Sequence, residues 1–195
     1  PHSPVVPRVA DMPYRAWSVS FQTYLYRDAF RALVVPQTTV LAGHHSTLCR
    51  WLLPDCVSDR NPTARDIARA AGEFGVSYTL VTGIPAPEQF IDNVLTSPQS
   101  VLCSAKFERF EAVFSGAGDT LSATFAALLA SGCDLSEAFS ESLSYLDRCL
   151  DGGFRPGMGH VLPDRLFWAQ PEDDADDASE GPASSFEFPP HDTQH

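Results

Sequence analysis

Glu111-Ala112-Val113-Phe114-Ser115-Gly116-Ala117-Gly118-Asp119-Thr120-Leu121-Ser122-Ala123 holds the residues of this chain best spaced to do chemistry. Residues 111–114 read as a β-strand, Gly116 to Gly118 as a tight turn, and the run through Ala130 as an apolar helix. Two glycines separated only by Ala117 let backbone N–H groups converge. The helix that follows adds its unsatisfied N-terminal donors and the positive end of its dipole, so the place suits an anion. Asp119 sets a carboxylate beside that anion, where electrostatics resists it unless it takes a proton from a nucleophile or holds a metal that bridges phosphates. That pairing points to phosphoryl transfer. The plainer alternative is a turn glycine followed by an aspartate that caps a helix.

The elements around this turn follow an α/β pattern. Leu25, Ala29, Phe30 and Leu33 have helical spacing, and Thr38 to Ala42 reads as a buried strand. Gly43-His44-His45-Ser46-Thr47 then leads into an apolar helix at Leu48, Trp51 and Leu52. Adjacent histidines at a helix start point in different directions and no third ligand has suitable spacing, so no metal site is expected there. Asn61-Pro62-Thr63 is a helix entry with Asp66 as capping-box partner, and that helix runs to Gly75. Val76 to Gly83 is the next strand. Strand, helix and strand joined by short links predict a doubly wound sheet, with ligands beyond the carboxyl ends of parallel strands, where Thr82 and Gly83 fall.

Downstream, Phe90–Leu95 and Ser100–Leu102 flank the turn-like Thr96-Ser97-Pro98-Gln99, a hairpin signature. Lys106 to Phe114 alternates apolar and charged residues into the glycine turn. Leu135 to Leu150 is amphipathic, with Ala138, Phe139, Leu143 and Leu146 on one face. Gly152 to His160 is a glycine-dense loop that either closes over a nucleotide base or crosses the surface.

Composition narrows the class. The chain has 195 residues and a formal charge of −12, and no apolar run reaches the roughly 18 residues of a membrane span. Eight acidic residues and no Lys or Arg follow Gln170, leaving 17 acidic against 13 basic residues before it, so residues 1–170 carry about −4. Clustered Lys and Arg, the footprint of a nucleic-acid binder, are missing. Five cysteines without a C-x-x-C pair indicate neither a disulfide framework nor zinc, so a reduced, cytoplasmic protein is expected. Residues 171–195, acidic and rich in Pro and Ser, read as a disordered tail to a single domain over 1–170. The start at Pro1 rather than Met is expected of a piece of something longer.

Gly116-Ala117-Gly118-Asp119-Thr120-Leu121-Ser122-Ala123, preceded by a strand ending in Val81-Thr82-Gly83 and a hairpin, resembles the C-terminal two-thirds of the ribokinase-like small-molecule kinases. Among these the chain is most similar to the vitamin kinases, hydroxymethylpyrimidine/phosphomethylpyrimidine kinase and pyridoxal kinase. The run Gly153-Phe154-Arg155-Pro156-Gly157-Met158-Gly159 resembles a divergent bacterial version of the former. The resemblance implies a three-layer α/β/α fold with a mostly parallel sheet, its N-terminal part missing here. It implies ATP and Mg²⁺ as cofactors, and transfer to the hydroxymethyl group of a pyrimidine precursor of thiamine or of a pyridoxal-type alcohol. Gly116, Ala117 and Gly118 would hold the γ-phosphate, with Thr82 and Gly83 near the ATP phosphates and Asp119 as the base. A homodimer is compatible with it; nucleic-acid and membrane partners are not expected.

Departures from the family pattern are specific. Pyrimidine kinases commonly carry Cys at the position of Asp119, which favours the pyridoxal branch. The family's T-P-N-x-x-E corner stands here as Ala42-Gly43-His44-His45-Ser46-Thr47, with His44 for Asn and Thr47 for Glu. The glycine-rich N-terminal substrate segment is absent. A non-catalytic relative that keeps the fold to bind a ligand is therefore the rival expectation. A Rossmann dehydrogenase fits less well, because Leu121 replaces the third glycine of G-x-G-x-x-G. A serine hydrolase fits less well still, because Ser115 lacks the G-x-S-x-G frame.

Overall fold

The computed structural model describes residues 7–12, 21–54 and 61–169; the tail expected over 171–195 lies outside them. In chain order the strands are β1 (Val9–Asp11), β2 (Val40–His44), β3 (Tyr78–Pro85), β4 (Phe90–Thr96) and β5 (Val101–Glu108). The helices are α1 (Phe21–Ala29), α2 (His45–Leu52), α3 (Ala64–Gly72), α4 (Ala117–Ala130) and α5 (Leu135–Asp151). The five strands form one sheet in the order β1-β2-β3-β4-β5. β1, β2 and β3 pair in parallel, β4 runs against β3, and β5 runs against β4. Four of the five strands therefore point the same way, and only β4 is reversed.

Alternation along the strands divides the core into two layers. Leu41 and Val81 face one side, where they meet Leu48, Trp51 and Leu52 of α2 and Ile67, Ala70 and Ala71 of α3. Val40, Ala42, Leu80 and Leu95 face the other, against Leu121, Phe125 and Leu129 of α4 and Ala138, Phe139 and Leu143 of α5. Helices on both faces of the sheet make the three-layer α/β/α arrangement. In α4 the buried positions form one stripe, and the rest of its circumference is covered by small residues such as Ala123 and Ala127.

Local chemistry explains several boundaries. Thr63 and Asp66 close a full capping box on α3, with the Thr63 N–H donating to Asp66 at 2.9 Å. Asp134 caps α5 by accepting from the Ser136 and Glu137 amides at 2.9 Å. The β4–β5 hairpin closes through Ser97 N–H to Ser100 C=O at 2.9 Å, with the Ser97 hydroxyl accepting from the Ser100 amide at 3.1 Å. One expectation is corrected. Residues 111–113 are not a strand: β5 stops at Glu108, where its partner β4 begins at Phe90, and only Phe114 makes an isolated bridge, to Val161.

β3 and β4 are joined by an unexpected tight turn. Phe90 N–H reaches Pro87 C=O at 3.3 Å, and both central residues have positive φ, Glu88 at 58° and Gln89 at 65°. This left-handed pair matches the twist of a hairpin but suits Asn-Gly, not two residues with long side chains. Replacing them together, Glu88→Asn with Gln89→Gly, should raise unfolding stability by about 1 kcal/mol in urea titrations. A loss of stability would show that the turn is not strained.

Candidate functional site

The site lies where the carboxyl end of β1 meets the amino end of α4. Gly116 is the N-cap of α4 in the left-handed conformation, φ 88°, and no side chain caps the helix. The first intrahelical bond is Thr120 N–H to Gly116 C=O at 3.0 Å, and the Thr120 hydroxyl donates to the same carbonyl at 2.8 Å. Among the described residues, the amides of Ala117, Gly118 and Asp119 therefore have no acceptor, as expected for a first helical turn. The turn is pinned from behind: Ser115 N–H donates to Val161 C=O at 2.9 Å, and Val161 N–H to Val113 C=O at 3.0 Å.

Facing this turn is a residue that the sequence did not single out. Asp11 ends β1, and a Cβ built on Gly118 would lie 3.4 Å from its Oδ2, so Gly118 packs directly against the carboxylate. Burial first, and then the negative charge of Asp119, push the Asp11 carboxyl up from 3.8 to about 6. The neighbouring Ser122 hydroxyl and the Met12 amide pull in the opposite direction. The Ser122 hydroxyl is buried and has no partner in good hydrogen-bond geometry. Two carboxylates are thus held beside unsatisfied amides. Asp11 carries no motif of its own, and its place follows only from the parallel register Asp11↔Ala42 of β1 on β2.

Gly116, Ala117, Gly118 and Asp119 come together with Asp11, whereas Thr82 and Gly83 lie two strands away, about 10 Å at ordinary strand spacing. Thr82 is level with His44, two residues beyond Leu80, which aligns with Ala42 and so with Asp11. Its hydroxyl donates to Gly43 C=O at 3.3 Å. Gly83 has φ 66° at a bulge between β3 and β4, and its amide donates to the buried Asn93 Oδ1 at 3.1 Å in place of a ladder bond. The His44 imidazole occupies the space where a Gly83 Cβ would stand, so a larger residue, already disfavoured by the φ of 66°, would have to displace the ring.

The corner at His44 to Thr47 is built for packing. His44 caps α2, its Nδ1 accepting from the Ser46 amide at 3.3 Å, and burial followed by the neighbouring His45 lowers its pKa. His45 Nε2 bonds to Pro62 C=O at 2.7 Å. Thr47 is buried, and its hydroxyl has no partner among the described residues. Among the described residues no group of three or more His, Cys, Asp or Glu side chains could hold a metal ion. The four described cysteines are free. No described helix is long and apolar enough to cross a membrane.

Comparison with known proteins follows the same lines. Residues 22–164 match the sequence pattern of the phosphomethylpyrimidine kinase family. Among curated proteins there is no significant match. The fold is similar to that of Bacillus subtilis pyridoxal kinase in its ADP complex, with a TM-score of 0.68 at 18% identity, over 83% of this chain and 61% of that one. Staphylococcus aureus pyridoxal kinase with AMP-PCP gives 0.68 at 17% identity, over 84% and 59%. A candidate phosphomethylpyrimidine kinase from Bacteroides thetaiotaomicron, solved with pyridoxal, gives 0.67 at 16%, over 85% and 59%. The chain thus spans about 60% of the length of these solved relatives. Because the family pattern extends over far more than half of the chain and over nearly every element of the sheet and its helices, the chain belongs to the phosphomethylpyrimidine kinase family.

Proposed function

We propose that this chain carries the phosphoryl-transfer part of an ATP-dependent kinase that acts on the hydroxymethyl group of a pyrimidine vitamin precursor, as in thiamine synthesis. The observation that supports this reading best is Asp119 on the first turn of α4, next to amides with no acceptor and to a second carboxylate, Asp11. Both cofactors fit these residues. Glycine at 116 and 118 lets Arg165 and Asp11 come close to the turn, since a Cβ would stand 2.8 Å from Arg165 Nη2 at the first and 3.4 Å from Asp11 Oδ2 at the second. Mg²⁺ is usually held by one or two carboxylates together with substrate phosphates, and Asp11 would supply one such carboxylate, leaving Asp119 free to act as the base. When bound, Mg·ATP would supply the γ-phosphoryl group.

The chain's own residues would then do the following. Asp119 Oδ accepts the proton of the substrate hydroxymethyl group as that oxygen attacks. The amides of residues 117–119 and the dipole of α4 stabilise negative charge on the phosphate oxygens. Thr82 and Gly83 stand where the parallel pairing of β3 with β2 ends, two residues short of the strand's own end at Pro85, and the rest of the nucleotide would extend past them. Most of the rate gain comes from positioning and charge stabilisation.

Two alternatives each have an observation behind them. Asp119 in place of the Cys common among pyrimidine kinases, together with the solved relatives that bind pyridoxal, favours a pyridoxal or pyridoxine kinase. The packed, carboxylate-free corner from His44 to Thr47 favours a non-catalytic ligand-binding relative.

Asp119→Asn keeps size and capping ability, so it should change stability by about 1 kcal/mol or less. It should still bind nucleotide, yet lose roughly 10²- to 10⁴-fold in phosphate transfer to hydroxymethylpyrimidine or pyridoxal. Turnover within about threefold of the parent would leave Asp119 a helix cap only. Mg·ATP should raise the melting temperature of the parent through preferential binding to the folded state. Gly118→Val should abolish that shift, and a parent that shows none would point to the non-catalytic reading.

Asp11 gives a pH-dependent test. Its folded pKa, about 6, lies above the ordinary 3.8, so its contribution to stability is complete below about pH 4 and is lost as pH rises through 6. Asp11→Asn removes that loss. Allowing for solvent screening of a partly exposed group, the variant should be about 1–2 kcal/mol more stable than the parent at pH 7, and the two should converge near pH 4. Denaturation curves that differ equally at both pH values would contradict the burial and repulsion assigned to this carboxylate.

A further inference from the structure

Arg165 reaches the glycine turn from the far end of the described chain. Its Nε donates to Thr120 Oγ1 at 2.8 Å and its Nη2 to Gly116 C=O at 3.4 Å. The backbone behind it is also fixed. The Tyr145 hydroxyl donates to Arg165 C=O at 2.9 Å, Asp164 N–H donates to Cys149 C=O at 2.8 Å, and Asp164 Oδ1 accepts from Leu166 N–H at 2.9 Å. Glycine suits position 116 because its φ is +88°, and a Cβ there would press on Arg165 Nη2 at 2.8 Å.

A guanidinium has five N–H donors in a rigid fork, and two of these are used here. The other three meet no acceptor among the described residues, and no described carboxylate lies within 4.0 Å of the group. A cation held in place at both ends of its side chain, with no acidic partner among the described residues and next to amides that find no acceptor among them, matches an oxyanion with several oxygens. Guanidinium and phosphate match one another in a way that a lysine ammonium does not reproduce.

We propose that Arg165 is a phosphate-binding residue of the glycine-turn site, its free donors gripping a terminal phosphate oxygen of a polyphosphate ligand. The inference rests on the proposed kinase reading, because that reading places the anion at the turn. Arg165 would supply, from the C-terminal segment, a fixed positive charge that neither the amides nor the two carboxylates provide. The Gly152–His160 loop and the segment after it then have a clear role, since their pairing through Val161 and Leu162 delivers the guanidinium to the turn.

The test is calorimetric titration of the whole chain and its variants with Mg·ATP and with inorganic tripolyphosphate, repeated at several salt concentrations. Arg165→Gln should weaken both ligands tenfold or more and flatten the salt dependence of binding, since one charge contact is gone. Arg165→Lys should recover only part of the affinity. If the parent binds and Arg165→Gln binds within twofold with an unchanged salt dependence, the assignment falls while the kinase reading stands. A parent that binds neither ligand overturns both. Should Arg165→Gln fail to fold, Arg165→Lys alone decides: a loss of threefold or more supports the phosphate contact, and an unchanged affinity refutes it.

Discussion

Two carboxylates held near one another at the positive end of a helix form the constraint on which the rest of this structure depends. Asp11 and Asp119 repel each other, and burial of Asp11 adds to the cost, so its carboxyl titrates near 6. Such an arrangement persists only if packing elsewhere over-determines it. Leu121, Phe125 and Leu129 seat α4 on Val40, Ala42, Leu80 and Leu95, with Phe125 fully buried. β1 in turn is fixed by parallel pairing on β2. The helix cannot withdraw from the strand end without uncovering that face of the sheet. What relieves the repulsion is positive charge, supplied in the free protein by a proton below about pH 6 and, in the proposed reaction, by a metal ion.

Much of this was legible in the sequence because it is written locally. The capping box at Thr63 and Asp66, the amphipathic run of α5, the Ser97 turn and the glycine turn itself each carry their signal within a few residues. The parts that were not legible depend on distant partners. Lys106 to Phe114 keeps its alternation beyond Glu108, but a strand needs a neighbour and β4 has already ended. Glu88 and Gln89 form a tight turn without the Asn-Gly signature that would announce it. Asp11 belongs to a strand of three residues that means nothing until β2 lies beside it. Arg165 is 45 residues from the Thr120 hydroxyl that it binds.

The corner at His44 to Thr47 shows how a family pattern can change while its fold stays. The imidazole of His44 fills the space over Gly83, tying the ends of β2 and β3 together, and burial holds it toward the neutral form. Thr47 offers a short, buried hydroxyl beside it. The corner from His44 to Thr47 holds no carboxylate, whereas Asp11 and Asp119 bring two together where β1 meets α4. In the proposed reaction Asp11 would hold the cation beside the glycine turn, and β2 and β3 would shape the nucleotide's path.

The most direct test is a carbon-13 NMR titration of the Asp11 carboxyl, free and in the presence of Mg·ATP. A site in which two carboxylates share one deficit of positive charge predicts a midpoint near 6 in the free protein. With Mg·ATP that midpoint should fall toward the ordinary 3.8, because a bound cation favours the ionised form. A midpoint near 3.8 in both states would show that Asp11 is neither buried against Asp119 nor part of a cation site, and would contradict the account.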